Sequence, residues 1–167
     1  KGTKIHTFAE NVFKGDVPDG NPEGYEASVI NFWKSMPEHI IPFISELKMF
    51  SQELGIAGTC DLVVYNNNTD KFIILDYKTN ENLFKNYKEK NKKSGKKLFK
   101  PFNFLLDTPF NKYQLQLSMY KVLFEQCGLE VESTKLVWLK EDGTYQVFRT
   151  SDYSQLILNE IIIANES

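Results

Sequence analysis

Asp61, Asp76 and Lys78 are the residues of this chain whose types and spacing fit a chemistry most closely. The apolar run Phe72-Ile73-Ile74-Leu75 ends abruptly in Asp76-Tyr77-Lys78-Thr79. Side chains alternate along a strand, so Asp76 and Lys78 are expected on one face and Tyr77 on the other. A second strand-like run carries Gly58-Thr59-Cys60-Asp61, and Asn66, Asn67, Asn68, Thr69 and Asp70 form a turn between the two. Asp61 and Asp76 therefore lie on the two arms of a predicted antiparallel hairpin and can face each other across neighbouring strands. Two carboxylates converging at strand ends suit a hard divalent cation such as Mg²⁺ or Mn²⁺, which prefers carboxylate oxygen. A lysine two residues from one of them reaches the same water and the same phosphate, where it can orient or deprotonate a nucleophile and offset negative charge. Phosphodiester hydrolysis asks for that equipment: a cation, an activated water and a fixed in-line geometry.

The elements that must position these residues follow from periodicity and turn signals. A helix is expected from Lys4 to about Phe13, with Ile5, Phe8 and Val12 on one face and Thr3 as its N-cap; a second runs from Tyr25 to about Ser35. Strands are expected over Phe43–Phe50, which contains Glu46, over Ile56–Tyr65 and over Lys71–Lys78. A long connection, 80–107, precedes a helix from about Asn111 to Cys127 whose stripe is Tyr113, Leu117, Tyr120 and Phe124. Thr134–Leu139 and Thr144–Arg149 read as a second hairpin around Glu141-Asp142-Gly143, and Ser151 as the cap of a last helix ending near Ile163. This order predicts one α/β domain over 1–167, a central mixed sheet flanked by helices.

Charge is unevenly placed. Between Lys85 and Lys100 eight lysines accompany one glutamate, a surplus of seven, so the rest of a chain of net charge −2 carries −9. Lys85, Lys88, Lys92, Lys93, Lys96 and Lys97 are interleaved or flanked with Phe84, Tyr87, Phe99 and Phe102, a pattern that can hold phosphates without reading sequence and stack on unpaired bases. That favours DNA, single-stranded in particular, as partner; a solvated lysine loop has the same composition. Hydrophobic residues, 41% of the chain, suffice for a core, yet no apolar run approaches the roughly 20 residues that cross a bilayer. We expect a soluble intracellular protein, cytoplasmic or nucleoid-associated, without a membrane partner. Two cysteines, Cys60 and Cys127, are too few for a disulfide scaffold. The start at Lys1 rather than Met points to a fragment, a processed form or the ordered part of a longer protein.

Taken singly, each site residue has an ordinary alternative. Asp and Lys at a strand end are common where a strand reaches solvent, His6 fits a hydrogen-bonded helix histidine, Glu46 a solvent-facing strand residue, and Tyr120 the core. Together the set resembles the PD-(D/E)XK nucleases: Glu46, then Gly-Thr-Cys-Asp61, then Leu-Asp76-Tyr-Lys78-Thr. Two further segments resemble the RecB-like branch, namely Gly2-Thr3-Lys4-Ile5-His6, like its G-T-x-x-H helix, and Gln116-Leu117-Ser118-Met119-Tyr120, like its Q-x-x-x-Y helix. The resemblance implies a restriction-endonuclease-like fold and an Mg²⁺- or Mn²⁺-dependent deoxyribonuclease, an exonuclease of DNA replication, repair or recombination. It implies His6, Asp61, Asp76 and the Tyr77 carbonyl as metal ligands and Lys78 as the catalytic lysine. Glu46 would assist the metal or its water, and Gln116 with Tyr120 would position lysine and DNA. A helicase or other replication or recombination protein is an implied partner. An endonuclease of the same fold, or a nucleic-acid-binding module without catalysis, are the alternatives. The Pro of the family name is replaced by Cys60, and two cysteines cannot supply the four that an iron–sulfur cluster takes in some relatives.

Overall fold

The structure, a computed structural model, describes residues 2–17, 19–86 and 95–166. Nine elements follow one another: α1 (Gly2–Phe13), α2 (Gly24–Lys34), β1 (Ile40–Ser51), β2 (Ile56–Asn66), β3 (Lys71–Lys78), α3 (Pro109–Glu125), β4 (Val131–Leu139), β5 (Tyr145–Arg149) and α4 (Ser154–Glu166). The strands form one sheet in the order β1-β2-β3-β4-β5. Three of its pairings are antiparallel, and β3 with β4 is parallel, so the sheet is mixed. The parallel step requires a crossover, and α3 supplies it.

One face of the sheet buries two helices and the other buries one. Ile5, Ala9 and Val12 of α1 and Val29 and Phe32 of α2 lie against Leu62, Val64, Ile73, Leu75, Tyr77 and Val137. Leu117, Tyr120 and Phe124 of α3, spaced at one helical face, lie on Cys60, Val63, Ile74 and Leu136. α4 packs outside α3. Among the described residues no helix is long and apolar enough to cross a membrane.

Several boundaries differ from the sequence reading: β4 begins at Val131 rather than Thr134, and the last helix ends at Glu166 rather than near Ile163. Thr3 stands inside α1 rather than capping it. β1 begins at Ile40, running through Pro42; β1 is an edge strand, and its register shifts between Pro42 and Ile44, both settings in which a strand tolerates a residue without an N–H. The last helix begins at Ser154 and not directly after Ser151: Asp152 Oδ1 accepts from Ser154 N at 2.8 Å, whereas Ser151 N donates to Gln114 Oε1 of α3.

The 80–107 connection is tied to the body at both ends among its described residues. Leu83 is fully buried, and its carbonyl accepts from Phe110 N at 2.8 Å; Asp107 N donates to Lys96 O at 2.8 Å, and Lys97 bridges to Leu106. Lys88, Lys90, Lys92 and Lys93 lie outside the described residues.

Candidate active site

The site occupies a fork in the sheet. Pairing between β2 and β3 ends at Leu62–Leu75, so Asp61 and Asp76 occupy the next step, where the strands part. Beyond it β2 continues against β1 as far as Ile56, and β3 against β4 as far as Lys78. Like charges directly opposite each other weaken a strand pair, which accounts for parting at this position. Side-chain alternation also fails here. Cys60 and Val63 both face α3 with Leu62 between them on the other side; Ile44 and Leu47 on β1 likewise share the α3 face. At the centre of that irregularity Glu46 has φ of +50°, an uncommon conformation for a residue with a side chain, and it falls across from Asp61 between the pairs Ser45–Leu62 and Leu47–Cys60.

α1 brings His6 to the fork from the other layer. Its Nε2 lies 3.1 Å from Asp61 Oδ2 and 3.2 Å from the Tyr77 carbonyl oxygen, while Asp61 Oδ2 accepts from Tyr77 N at 2.9 Å. The hydrogen bond to Asp61 is the main cause that raises the His6 imidazole to about 9. Burial works against ionisation of Asp61, but the bond from His6 and the proximity of Asp76 outweigh it and hold that carboxyl below its ordinary value. Asp76, almost wholly buried, is pushed well up by burial and by Asp61 beside it. Burial raises Glu46 too, with the Asp61 charge adding to it.

Lys78 is held on three sides. Its Nζ lies 2.8 Å from Asp76 Oδ2, 3.4 Å from Gln116 Oε1, and 4.2 Å from the centre of the Tyr113 ring. The Tyr113 hydroxyl donates to Asn80 Oδ1 at 3.0 Å, and the Asn80 carbonyl accepts from Trp138 Nε1 at 2.7 Å, so the ring is fixed in turn. Tyr120, buried by its neighbours, is engaged with Gln116, and its ring lies over Gly58.

The donor set fits a divalent cation in chemistry, with its side chains turned inward on one another. Among the described residues no three His, Cys, Asp or Glu side chains stand around one point at metal-ligand spacing. Asp76 Oδ2 is drawn to Lys78, and Asp61 Oδ2 is engaged by His6 and Tyr77 N–H. Yet the Asp76–Lys78 approach lacks hydrogen-bond angles, and that buried oxygen has no hydrogen-bond donor. A buried carboxylate oxygen without a hydrogen-bond donor, beside a second acid, is a group that a bound cation would satisfy. The distances from His6 Nε2 to its two oxygen neighbours are also close to the about 3.0 Å that separates adjacent ligands around an octahedral ion with bonds of about 2.1 Å.

The structure thus brings together His6, Asp61, Asp76, the Tyr77 carbonyl, Lys78 and Gln116, with Glu46 and Tyr120 adjoining. Lys96 is instead paired with Asp107 at 3.2 Å. Tyr113 and Asn80 were missed by the sequence reading; Tyr113 precedes Gln116 by three residues on the same helix, a spacing that could have placed it beside Lys78. Neither models of known protein families nor curated proteins give a match to this chain.

Proposed function

We propose that this chain is a metal-dependent DNA nuclease of the PD-(D/E)XK type, cutting phosphodiester bonds as an exonuclease of the RecB-like kind. The observation that carries the reading is the fork, where two neighbouring carboxyls, a histidine, a backbone carbonyl and a lysine converge from β2, β3 and α1. His6, Asp61, Asp76 and the Tyr77 carbonyl would hold the ion, which supplies positive charge to the scissile phosphate and acidifies the attacking water. Lys78 presents an ammonium to a non-bridging phosphate oxygen, kept in place by Gln116 and the Tyr113 ring. Glu46, held across from Asp61 by its own strained backbone, accepts a proton from the nucleophile. Single-stranded DNA suits the exposed aromatic residues Phe84 and Phe99 on the connection, since unpaired bases offer their faces for stacking.

End-labelled single- and double-stranded DNA, incubated with Mn²⁺, Mg²⁺ or chelator, tests the reading. Cleavage is expected with either ion and not with chelator, from ends of linear but not circular substrate. Lys78→Ala is expected to slow it by about 10²-fold or more with an unchanged melting temperature. Cleavage that persists in chelator, or in the Lys78 variant at the original rate, would overturn the assignment.

A further inference from the structure

We infer that a groove at the opposite end of the sheet, beside the free edge of β5, binds an extended acidic segment of a partner protein. The groove, of about 690 Å³, lies beyond the end of α2; Val64, Ile73 and Leu75, themselves almost fully buried, are at its base. Lys135 and Arg149 line it and stand directly opposite each other on β4 and β5. Like charges so placed destabilise an antiparallel pair. Neither side chain has an ion pair or hydrogen bond among the described residues, and Glu132, the one acid in the lining, is engaged by Asn66 Nδ2 at 2.8 Å and Thr69 Oγ1 at 2.9 Å. Those neutral donors leave Glu132 its charge, so it offsets the two cations only in part, and a bound anion would complete the neutralisation.

Three features coincide on this side: a cation pair only partly offset by Glu132, an aliphatic base and, among the described residues, an unpaired strand edge. β5 ends the sheet, and Gln146, Val147 and Arg149 on it are exposed. A peptide uses all three. Laid along β5 it bonds through its main chain and sets every second side chain on the groove face, beside Tyr145, Val147 and Arg149. An aliphatic residue meets Val147, and an Asp or Glu two positions away meets Arg149. A nucleic acid would supply the anion but neither aliphatic side chains nor a strand to pair.

A displayed library of random nine-residue peptides, selected on the whole chain and in parallel on its Arg149→Glu variant, tests this. Enriched peptides are expected to carry Asp or Glu two positions from Val, Ile or Leu, to bind the variant at least tenfold more weakly, and to slow amide exchange at residues 145–149. Because R149E turns a repulsive cross-strand pair into an attractive one, the free variant should melt about 1–3 °C higher. No enriched pattern, equal enrichment on both proteins, protection elsewhere than β5, or a lower melting temperature in the variant would overturn the inference. So would a single-stranded oligonucleotide whose binding R149E abolishes, which would give the groove to nucleic acid. None of these outcomes bears on cleavage at the fork.

Discussion

Two neighbouring acids at the fork, a histidine bonded to one of them and a lysine held on three sides define the candidate site. His6 makes this measurable. Its imidazole is raised from 6.5 to about 9 by Asp61, so in the folded chain the protonated form is favoured. Stability from this pair is fully present below pH 6.5 and is lost as pH rises through about 9. In chelator, stability should therefore fall across that window by on the order of 1 kcal/mol once the partial exposure of the ring is allowed for, and the melting temperature with it. The fall should be absent in His6→Asn and suppressed by Mn²⁺, which displaces the proton. A chelated profile flat from pH 6.5 to 9 would contradict it. At this scale the sequence was informative where chemistry and spacing coincide, as in Asp76-Tyr77-Lys78, because strand alternation alone sets those two side chains on one face. Tyr113 was read as core because its stripe position serves packing equally well, and only the three-dimensional approach of Lys78 separates the two uses.

Among the elements, β2 and α3 show how packing and site are coupled. Gly58 is on β2 where the Tyr120 ring crosses it: a Cβ there would meet Tyr120 Cε1 at 2.5 Å, and the ring is buried and cannot swing aside. Gly58→Ala is expected to cost about 1–3 kcal/mol and to slow cleavage by moving Tyr120 and Gln116; thermal melts and cleavage rates check both, and a neutral substitution would show that the ring has room. The lysine-rich connection belongs to this scale too. Changing Lys85, Lys88, Lys92 and Lys93 together to Gln is expected to weaken single-stranded DNA binding and to flatten its salt dependence by about 0.7 for each phosphate that is no longer neutralised. An unchanged slope would remove that segment from substrate binding. Element types were legible because turn residues such as Asn66 to Asp70 and Gly143 punctuate the strands. The start of β1 was not, since Pro42 signals a break unless the strand is known to lie at the sheet edge beside a register shift.

For the whole molecule, the mixed sheet follows from the order of elements: antiparallel hairpins where turns are short, and one parallel step where α3 intervenes. That arrangement sets the fork and the β5 groove at opposite ends of one sheet. The irregular stretch at Glu46 and Asp61 lay beyond sequence reasoning, because two strands leave alternation at the same place and each looks merely imperfect by itself. The central claim is that Asp61 and Asp76 share one ion. Anomalous scattering from crystals soaked in Mn²⁺ tests it most directly. A single strong peak is expected within bonding distance of both carboxylates, His6 Nε2 and the Tyr77 carbonyl oxygen, and absent in Asp76→Asn; a saturating soak with no peak there, or with Mn²⁺ on one aspartate and the other turned away, would contradict the account.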